Sequence, residues 1–317
     1  MNKISVFCVL LGVLPMAGQT VTLTQTRSVN GPMEVSGEPV GNWSGGSLVL
    51  VSDASSAAPV FRAFDRNGQQ IGELTFTLPG SSLINIYSGV FARGFDGSFA
   101  ISGSAYTADS RGTVFLAWVS ADGKKQTVIG TSPFVADAVT MAHDGTIWVA
   151  GFEHEKMHGG DYDVIRRFDR SGKLIGSMIP RSSLPVMDHK RFAEPAVYSY
   201  LASSQDRVGW YSEAAGIYIA FALNGTELER VPVKVNAGMG VYNLAQCDDG
   251  AAFVGARVYG GPNRAPAWGI LAIDPAAKKT TFLPWSKRPG IFYGCDRDSV
   301  VAGTGPGVLA WLRPVTK

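Results

Sequence analysis

The strongest constraint on this chain is that it repeats itself about every fifty residues, a spacing that marks stacked supersecondary units and decides the fold before any local reading. Two turn signatures alternate along it. The first is an Asp-Gly turn between short apolar runs: Phe95-Asp96-Gly97 before Ser98-Phe99-Ala100-Ile101, His143-Asp144-Gly145 before Thr146-Ile147-Trp148-Val149, and Cys247-Asp248-Asp249-Gly250 before Ala251-Ala252-Phe253-Val254. Reduced copies stand at Gly45-Gly46, Gln205-Asp206-Arg207 and Cys295-Asp296-Arg297-Asp298. The second signature follows within each unit: Phe64-Asp65-Arg66-Asn67-Gly68, Val119-Ser120-Ala121-Asp122-Gly123, Phe168-Asp169-Arg170-Ser171-Gly172, Ala222-Leu223-Asn224-Gly225 and, in a fifth unit, Ile273-Asp274-Pro275.

Asp-Gly and Asn-Gly recur because a hairpin turn needs positive φ, which Gly adopts without steric cost and Asn or Asp tolerate. Two hairpins per repeat make four strands. Runs such as Val60-Phe61-Arg62-Ala63-Phe64 and Tyr218-Ile219-Ala220-Phe221 are rich in β-branched and aromatic residues at strand length, and no amphipathic helix emerges. Four-stranded units at this spacing predict a β-propeller, an all-β ring of radially packed sheets. Five units are complete. A sixth begins at Ile291-Phe292-Tyr293-Gly294 and stops after Gly307-Val308-Leu309-Ala310-Trp311-Leu312, one strand short. The alternating segment Val21 to Val29 has no unit of its own, so the reading is a six-bladed propeller whose N-terminal strand completes the last blade and leaves no open sheet edge.

The phrases Phe-Asp-Arg-Asn-Gly-Gln-Gln-Ile-Gly at 64–72, Phe-Asp-Arg-Ser-Gly-Lys-Leu-Ile-Gly at 168–176 and His-Asp-Gly-Thr-Ile-Trp-Val-Ala at 143–150 resemble the blade hairpins of six-bladed propellers of the TolB-like and NHL-repeat type. The resemblance lies in the repeat pattern and spans the mature chain. It implies an architecture and brings no activity with it, since such phrases specify turns.

Lys3, the apolar run Ile4 to Leu14 and the small residues Pro15-Met16-Ala17-Gly18 read as a signal peptide over 1–18, ahead of a single propeller domain over 19–317. The apolar run is shorter than the ~20 residues that span a bilayer, and no later segment is long and apolar enough to do so. The protein is therefore expected to be secreted or periplasmic, and a monomer. With 45% hydrophobic and 17% charged residues the chain has material for a core, and a net charge of +2 with no Lys/Arg block argues against a nucleic-acid partner. Cys247 and Cys295 hold equivalent positions in consecutive blades, and an oxidising compartment leaves them as either a disulfide or two buried thiols.

In such a ring the Asp-Gly turns share one face, and the connections between blades share the other with the second-to-third strand loops. The loop-rich face carries two insertions, Glu153 to Asp163 and Arg181 to Glu194. His154, His158, Asp161 and His189 are the candidate divalent-metal ligands there, because neutral imidazole and carboxylate suit such ions. His154-Glu155-Lys156-Met157-His158 matches the His-Glu-x-x-His pattern in form. That pattern works on a helix, whereas here it lies between strand patterns and runs into Gly159-Gly160. The pattern also resembles, in architecture, propellers of the gluconolactonase type, which implies a catalytic divalent metal at the channel mouth; Asn85, Asp137, Glu194 and Asn243 occupy comparable places. The alternative role for these four is hydrogen bonding between blades. Tyr87, Tyr198, Tyr200, Tyr242 and Tyr293 lie near the same strands and can line a ligand pocket or pack between blades, and Trp118, Trp148, Trp210 and Trp268 read as core.

No Gly-x-Ser-x-Gly elbow, phosphate-cradling loop or cysteine-rich metal spacing occurs. Two functional readings follow. One is an exported binding module that recognises a small molecule, peptide or protein through its loop-rich face. The other is a metal-dependent hydrolase or lactonase with its site at the channel mouth.

Overall fold

In a computed structural model the residues described are 21–32, 40–87, 89–156, 160–185, 194–235, 238–259, 267–285, 291–305 and 307–316. The segment read as a signal peptide lies outside them, as do His158 and His189. The described chain forms six antiparallel sheets, blades I to VI in order of their first strands.

Blade I contains strands Val40–Ser44, Ser47–Ser52, Val60–Phe64 and Gln70–Thr75. Blade III contains Phe134–Met141, Ile147–Glu153, Asp163–Phe168 and Leu174–Pro180; blade IV contains Ser199–Ser203, Arg207–Ser212, Ile217–Ala222 and Glu227–Pro232. Blade V contains Met239–Gln246, Ala252–Val258, Ala267–Asp274 and Lys279–Trp285. In blade VI, Phe292–Asp296, Ser299–Gly305 and Val308–Thr316 are completed by Val21–Asn30, which pairs antiparallel from Val21 opposite Thr316 to Asn30 opposite Val308. The ring closes a second time at its centre, where the first strand of blade VI packs beside that of blade I. The protein is a six-bladed β-propeller.

Blade II departs from the repeat. Its first-strand position is split into Leu83–Asn85 and Phe91–Arg93, both paired with Phe99–Tyr106, and Gly112–Val119 and Gln126–Gly130 complete the sheet. Ser55–Ser56, from the second-to-third strand loop of blade I, extends this sheet by pairing with Asn85 and Ile84. The split leaves Tyr87 projecting to solvent.

The turn glycines behave as their chemistry requires: Gly68, Gly97, Gly145, Gly172 and Gly250 all have φ between 78° and 89°. Each donates its N–H to the carbonyl three residues back, as in Gly68 to Asp65 and Gly145 to Ala142. The preceding Asp is the acceptor that fixes the loop; Asp169 takes the N–H groups of Ser171 and Lys173, and Asp65 those of Asn67 and Gln69. At Gly172 a Cβ would also sit 2.6 Å from a methyl of Ile129 in blade II, so the turn packs on its neighbour as well as reversing the chain.

The Arg of Phe-Asp-Arg-x-Gly has a separate role. Arg66 reaches back to Asp296 in the first turn of blade VI at 2.6 Å, and Arg170 reaches back to Asp96 in the first turn of blade II at 2.7 Å. The repeated phrase thus fixes its own turn through Asp and staples the preceding blade through Arg.

The hydrophobic core is distributed along the seams. Trp148 and Trp210 meet between blades III and IV, Tyr211, Tyr218 and Leu271 between IV and V, and Trp43 packs edge to face on Trp311 between I and VI, ring centres 5.8 Å apart. Trp118 and Trp268, read from sequence as core, are only half-buried; Arg170 lies over the first and Arg257 over the second. Cys247 and Cys295 are joined in a disulfide, Cα atoms 5.3 Å apart, across blades V and VI on the turn face. Beside it the Asp248 N–H donates to the Arg297 carbonyl at 2.6 Å.

Candidate functional site

Side chains near the tops of the first strands stitch blades together in pairs. Asn42 donates through Nδ2 to the Phe91 carbonyl at 2.5 Å, joining blades I and II. Asn243 donates to the Phe292 carbonyl at 2.9 Å, joining V and VI. Asp137 accepts the Ser199 N–H at 2.8 Å, joining III and IV. Asp137 and Asn243 each sit at a bulge, which turns an extra residue out of the ladder, and Asn243 adopts φ 60°, a conformation Asn tolerates. Burial pushes the Asp137 carboxyl up to about 6, against the opposing pull of hydrogen bonds from Ser199 and Tyr198. Tyr198, at φ 56°, is exposed beside it.

Glu194 is buried in the connection into blade IV. Its Oε2 accepts from the Tyr162 hydroxyl at 2.6 Å and from Arg181 Nε at 2.7 Å, so it locks the Arg181 insertion onto blade III. Burial first, and then the Glu194 carboxylate, drive the Tyr162 hydroxyl to a higher pKa, keeping it a neutral donor. Asp161 is exposed and accepts from the Ser182 N–H at 3.1 Å and the Ser182 hydroxyl at 2.7 Å; these bonds hold its pKa down. Asn85 is held by backbone pairing to Ser55 and Ser104.

Three of the metal candidates, Asp137, Asp161 and Glu194, are therefore engaged by protein donors. Among the described residues no three His, Cys, Asp or Glu side chains converge as a metal site, and Glu194 Oε1 is buried without a hydrogen-bond partner. His154–Lys156 forms a single 3-10 turn between strands, not the helix that a His-Glu-x-x-His site uses.

The tyrosines divide. Tyr293 is buried at the seam of blades VI and I, Tyr242 stacks on Phe292 and meets Trp268 edge on, and Tyr87 and Tyr198 stand exposed on the loop-rich face. Tyr200 donates to the Val241 carbonyl at 3.3 Å and stacks on Tyr211.

The loop-rich face also has a groove of about 360 Å³ between blades II and III, framed by Ser104, Tyr106, Thr113, Pro133, His154 and Glu155. A Cβ at Gly112 would lie 2.8 Å from the Tyr106 ring, so glycine there lets that ring lie along the groove wall. His154 and Glu155 are exposed, and among the described residues no side chain bonds theirs. Of this site sequence reasoning found only His154. The remainder comes from a hairpin and an interblade connection that no motif links, although Ser104, Tyr106 and Thr113 in otherwise apolar strands are a faint compositional signal.

No protein-family model matches the chain, and no curated protein matches it in sequence. Solved structures match its shape. A member of the DUF4221 family from Bacteroides vulgatus is similar with a TM-score of 0.56 at 10% identity, covering 94% of this chain and 98% of that one. The soluble aldose sugar dehydrogenase of Escherichia coli gives 0.46 at 11% identity over 94% and 100%, and the β-propeller domain of the trilobed protease of Pyrococcus furiosus 0.43 at 8% over 87% and 82%. Similarity at this identity bears on the fold alone, and the class, a β-propeller, rests on the six sheets themselves.

Proposed function

We propose that this is an exported binding module of the TolB-like or NHL-repeat kind that takes a small molecule, or a short peptide end, into the groove between blades II and III. The observation that carries the reading is the pair His154 and Glu155, exposed at the groove and bonded by no side chain among the described residues, whereas Asp137, Asp161, Glu194 and Asn243 are engaged within the scaffold. A groove with hydroxyl, imidazole and carboxylate groups beside a tyrosine ring suits a ligand that is partly polar and partly flat. The Cys247–Cys295 disulfide supports export, since such bonds persist in oxidising compartments. Among the described residues no helix is long and apolar enough to cross a membrane.

The test is a thermal-shift screen of metabolites and short peptides on the mature chain, with hits repeated on Thr113→Trp, which fills the groove, and His154→Ala. Loss of the hits in Thr113→Trp at unchanged folding supports the groove; hits that persist there move the binding site elsewhere.

A second reading, a hydrolase with its site at the channel mouth, is favoured by Asp137, whose carboxyl at about 6 is poised for general acid or base work. Turnover of a lactone or ester that Asp137→Asn abolishes, with the fold intact, would select this reading over the first.

A further inference from the structure

We propose that the loop-rich end of the seam between blades V and VI binds a ligand carboxylate at Arg257, with Tyr242 and Trp285 as supporting donors. This site is separate from the groove between blades II and III and stands or falls independently of it.

The argument begins with an unbalanced set of donors. Arg257, near the end of the second strand of blade V, lies directly across the sheet from Trp268, which in turn lies across from Trp285. Directly opposed residues share a face of the sheet, so the three form one row. Trp285 belongs to the core cluster shared with Phe292, Val300 and Leu312, which places that row on the side facing blade VI, and Tyr242 packs against the same cluster. Among the described residues, Arg257 Nε, the Tyr242 hydroxyl and Trp285 Nε1 are all buried and have no hydrogen-bond partner. All three can donate, Arg257 and Trp285 can only donate, and no carboxylate among the described residues pairs with Arg257. Buried donors without acceptors are rare in native proteins and call for an explanation at each occurrence.

The guanidinium is also held ready. It lies between two rings, 4.7 Å from the centre of Trp268 and 5.0 Å from that of Tyr259. The Tyr259 ring rests over Gly240, where a Cβ would meet it at 3.0 Å, and Tyr259 is otherwise exposed, forming the outer wall. Stacking fixes the plane of the guanidinium and costs it none of its in-plane N–H groups, the fork that matches a carboxylate edge. By contrast Arg66 meets both carboxylate oxygens of Asp296, and Arg181 bonds Glu194 through Nε. One cation matches the single charge of a carboxylate better than the roughly −1.5 to −2 of a phosphate monoester.

The experiment titrates the mature protein with sodium acetate and with sodium benzoate at constant ionic strength, against sodium chloride and inorganic phosphate, following intrinsic tryptophan fluorescence, to which Trp268 and Trp285 contribute. The expected result is a saturable change with the carboxylates that chloride does not produce, weakened at least about tenfold in Arg257→Gln, in line with loss of a charge-assisted hydrogen bond. Arg257→Lys keeps the charge without the planar fork and should fall between the two, which retains a readout if Arg257→Gln folds poorly. Tyr242→Phe should weaken the carboxylate response without lowering the urea midpoint, because its hydroxyl has no internal partner to lose. Equal responses in wild type and Arg257→Gln, tighter binding of phosphate than of either carboxylate, or a destabilised Tyr242→Phe would each overturn the proposal.

Discussion

The staple between blades I and VI offers the sharpest test of how this ring is held, because the same motif makes two versions of it that differ in burial. Asp296 is 8% exposed and receives Arg66 at 2.6 Å and the Trp311 indole N–H at 2.8 Å; its counterpart Asp96 is 43% exposed and pairs with an Arg170 exposed to the same degree. Replacing Asp296 with Ala removes a charge-assisted bond, about 1.5–3 kcal/mol, and leaves a buried indole N–H without an acceptor, about 1–3 kcal/mol more. Arg66 is one-third exposed and regains some hydration, so the expected net loss is about 3 kcal/mol. For Arg170 and Asp96, exposure limits the pair to at most about 1 kcal/mol. Double-mutant cycles, Arg66→Ala with Asp296→Ala and Arg170→Ala with Asp96→Ala, isolate each coupling from the turn bonds that Asp96 makes with Ser98. Urea unfolding followed by fluorescence should give a coupling of about 2 kcal/mol for the first pair and below about 1 kcal/mol for the second. Equal couplings, or a loss under about 1 kcal/mol for Asp296→Ala, would refute the claim that burial sets the strength of these staples.

Other expectations follow from the same geometry. Because burial raises Asp137 to about 6, the folded protein keeps a proton that the unfolded chain releases near 4; stability should therefore fall as pH rises through that window, by at most about 3 kcal/mol, and Asp137→Asn should flatten the slope in urea titrations from pH 4 to 7. Reduction of Cys247–Cys295, which spans a sequence separation of 48, should cost up to about 4 kcal/mol on the chain-entropy estimate; a Cys247→Ala/Cys295→Ala protein that matches the oxidised wild type in urea would contradict it. Deleting residues 21–30 exposes the whole edge of Val308–Thr316, and light scattering should show more self-association than the intact chain gives at the same concentration. Glu194→Gln keeps an acceptor for Tyr162 and loses the ion pair with Arg181; proteolysis should then cut near Arg181 faster than in wild type, at little change in global stability.

Turns and blade count were readable from the chain alone because their chemistry is local. An Asp that accepts the N–H two residues on and a Gly at positive φ act within five residues, whatever the rest of the protein does. Once the blades are counted, the unpaired alternating run at Val21 and the missing strand after Leu312 have no other partners, so ring closure was legible too. The equivalent places of Cys247 and Cys295 were visible, and the 5.3 Å approach of their Cα atoms needed the actual spacing of neighbouring first strands.

Tertiary structure alone decided what each polar side chain is used for. From sequence, Asp137, Asn243 and Glu194 were candidates at the channel mouth and His154 a candidate in a neighbouring insertion, all of them polar residues on the loop-rich face. In the fold, the first three side chains meet backbone or side-chain partners 13 to 62 residues away, while the His154 side chain, whose backbone N–H donates to the Pro133 carbonyl, bonds none among the described residues. Arg257 gave no sequence signal, because an arginine near a strand end is ordinary until its neighbours prove to be two rings and no carboxylate. The split first strand of blade II was equally hidden, as was the pairing of Ser55, arriving from blade I, with Asn85. Local backbone chemistry determines which units form and how many; whether a hydrogen-bonding group is spent or free depends on contacts across seams between blades, which exist only once the ring has closed.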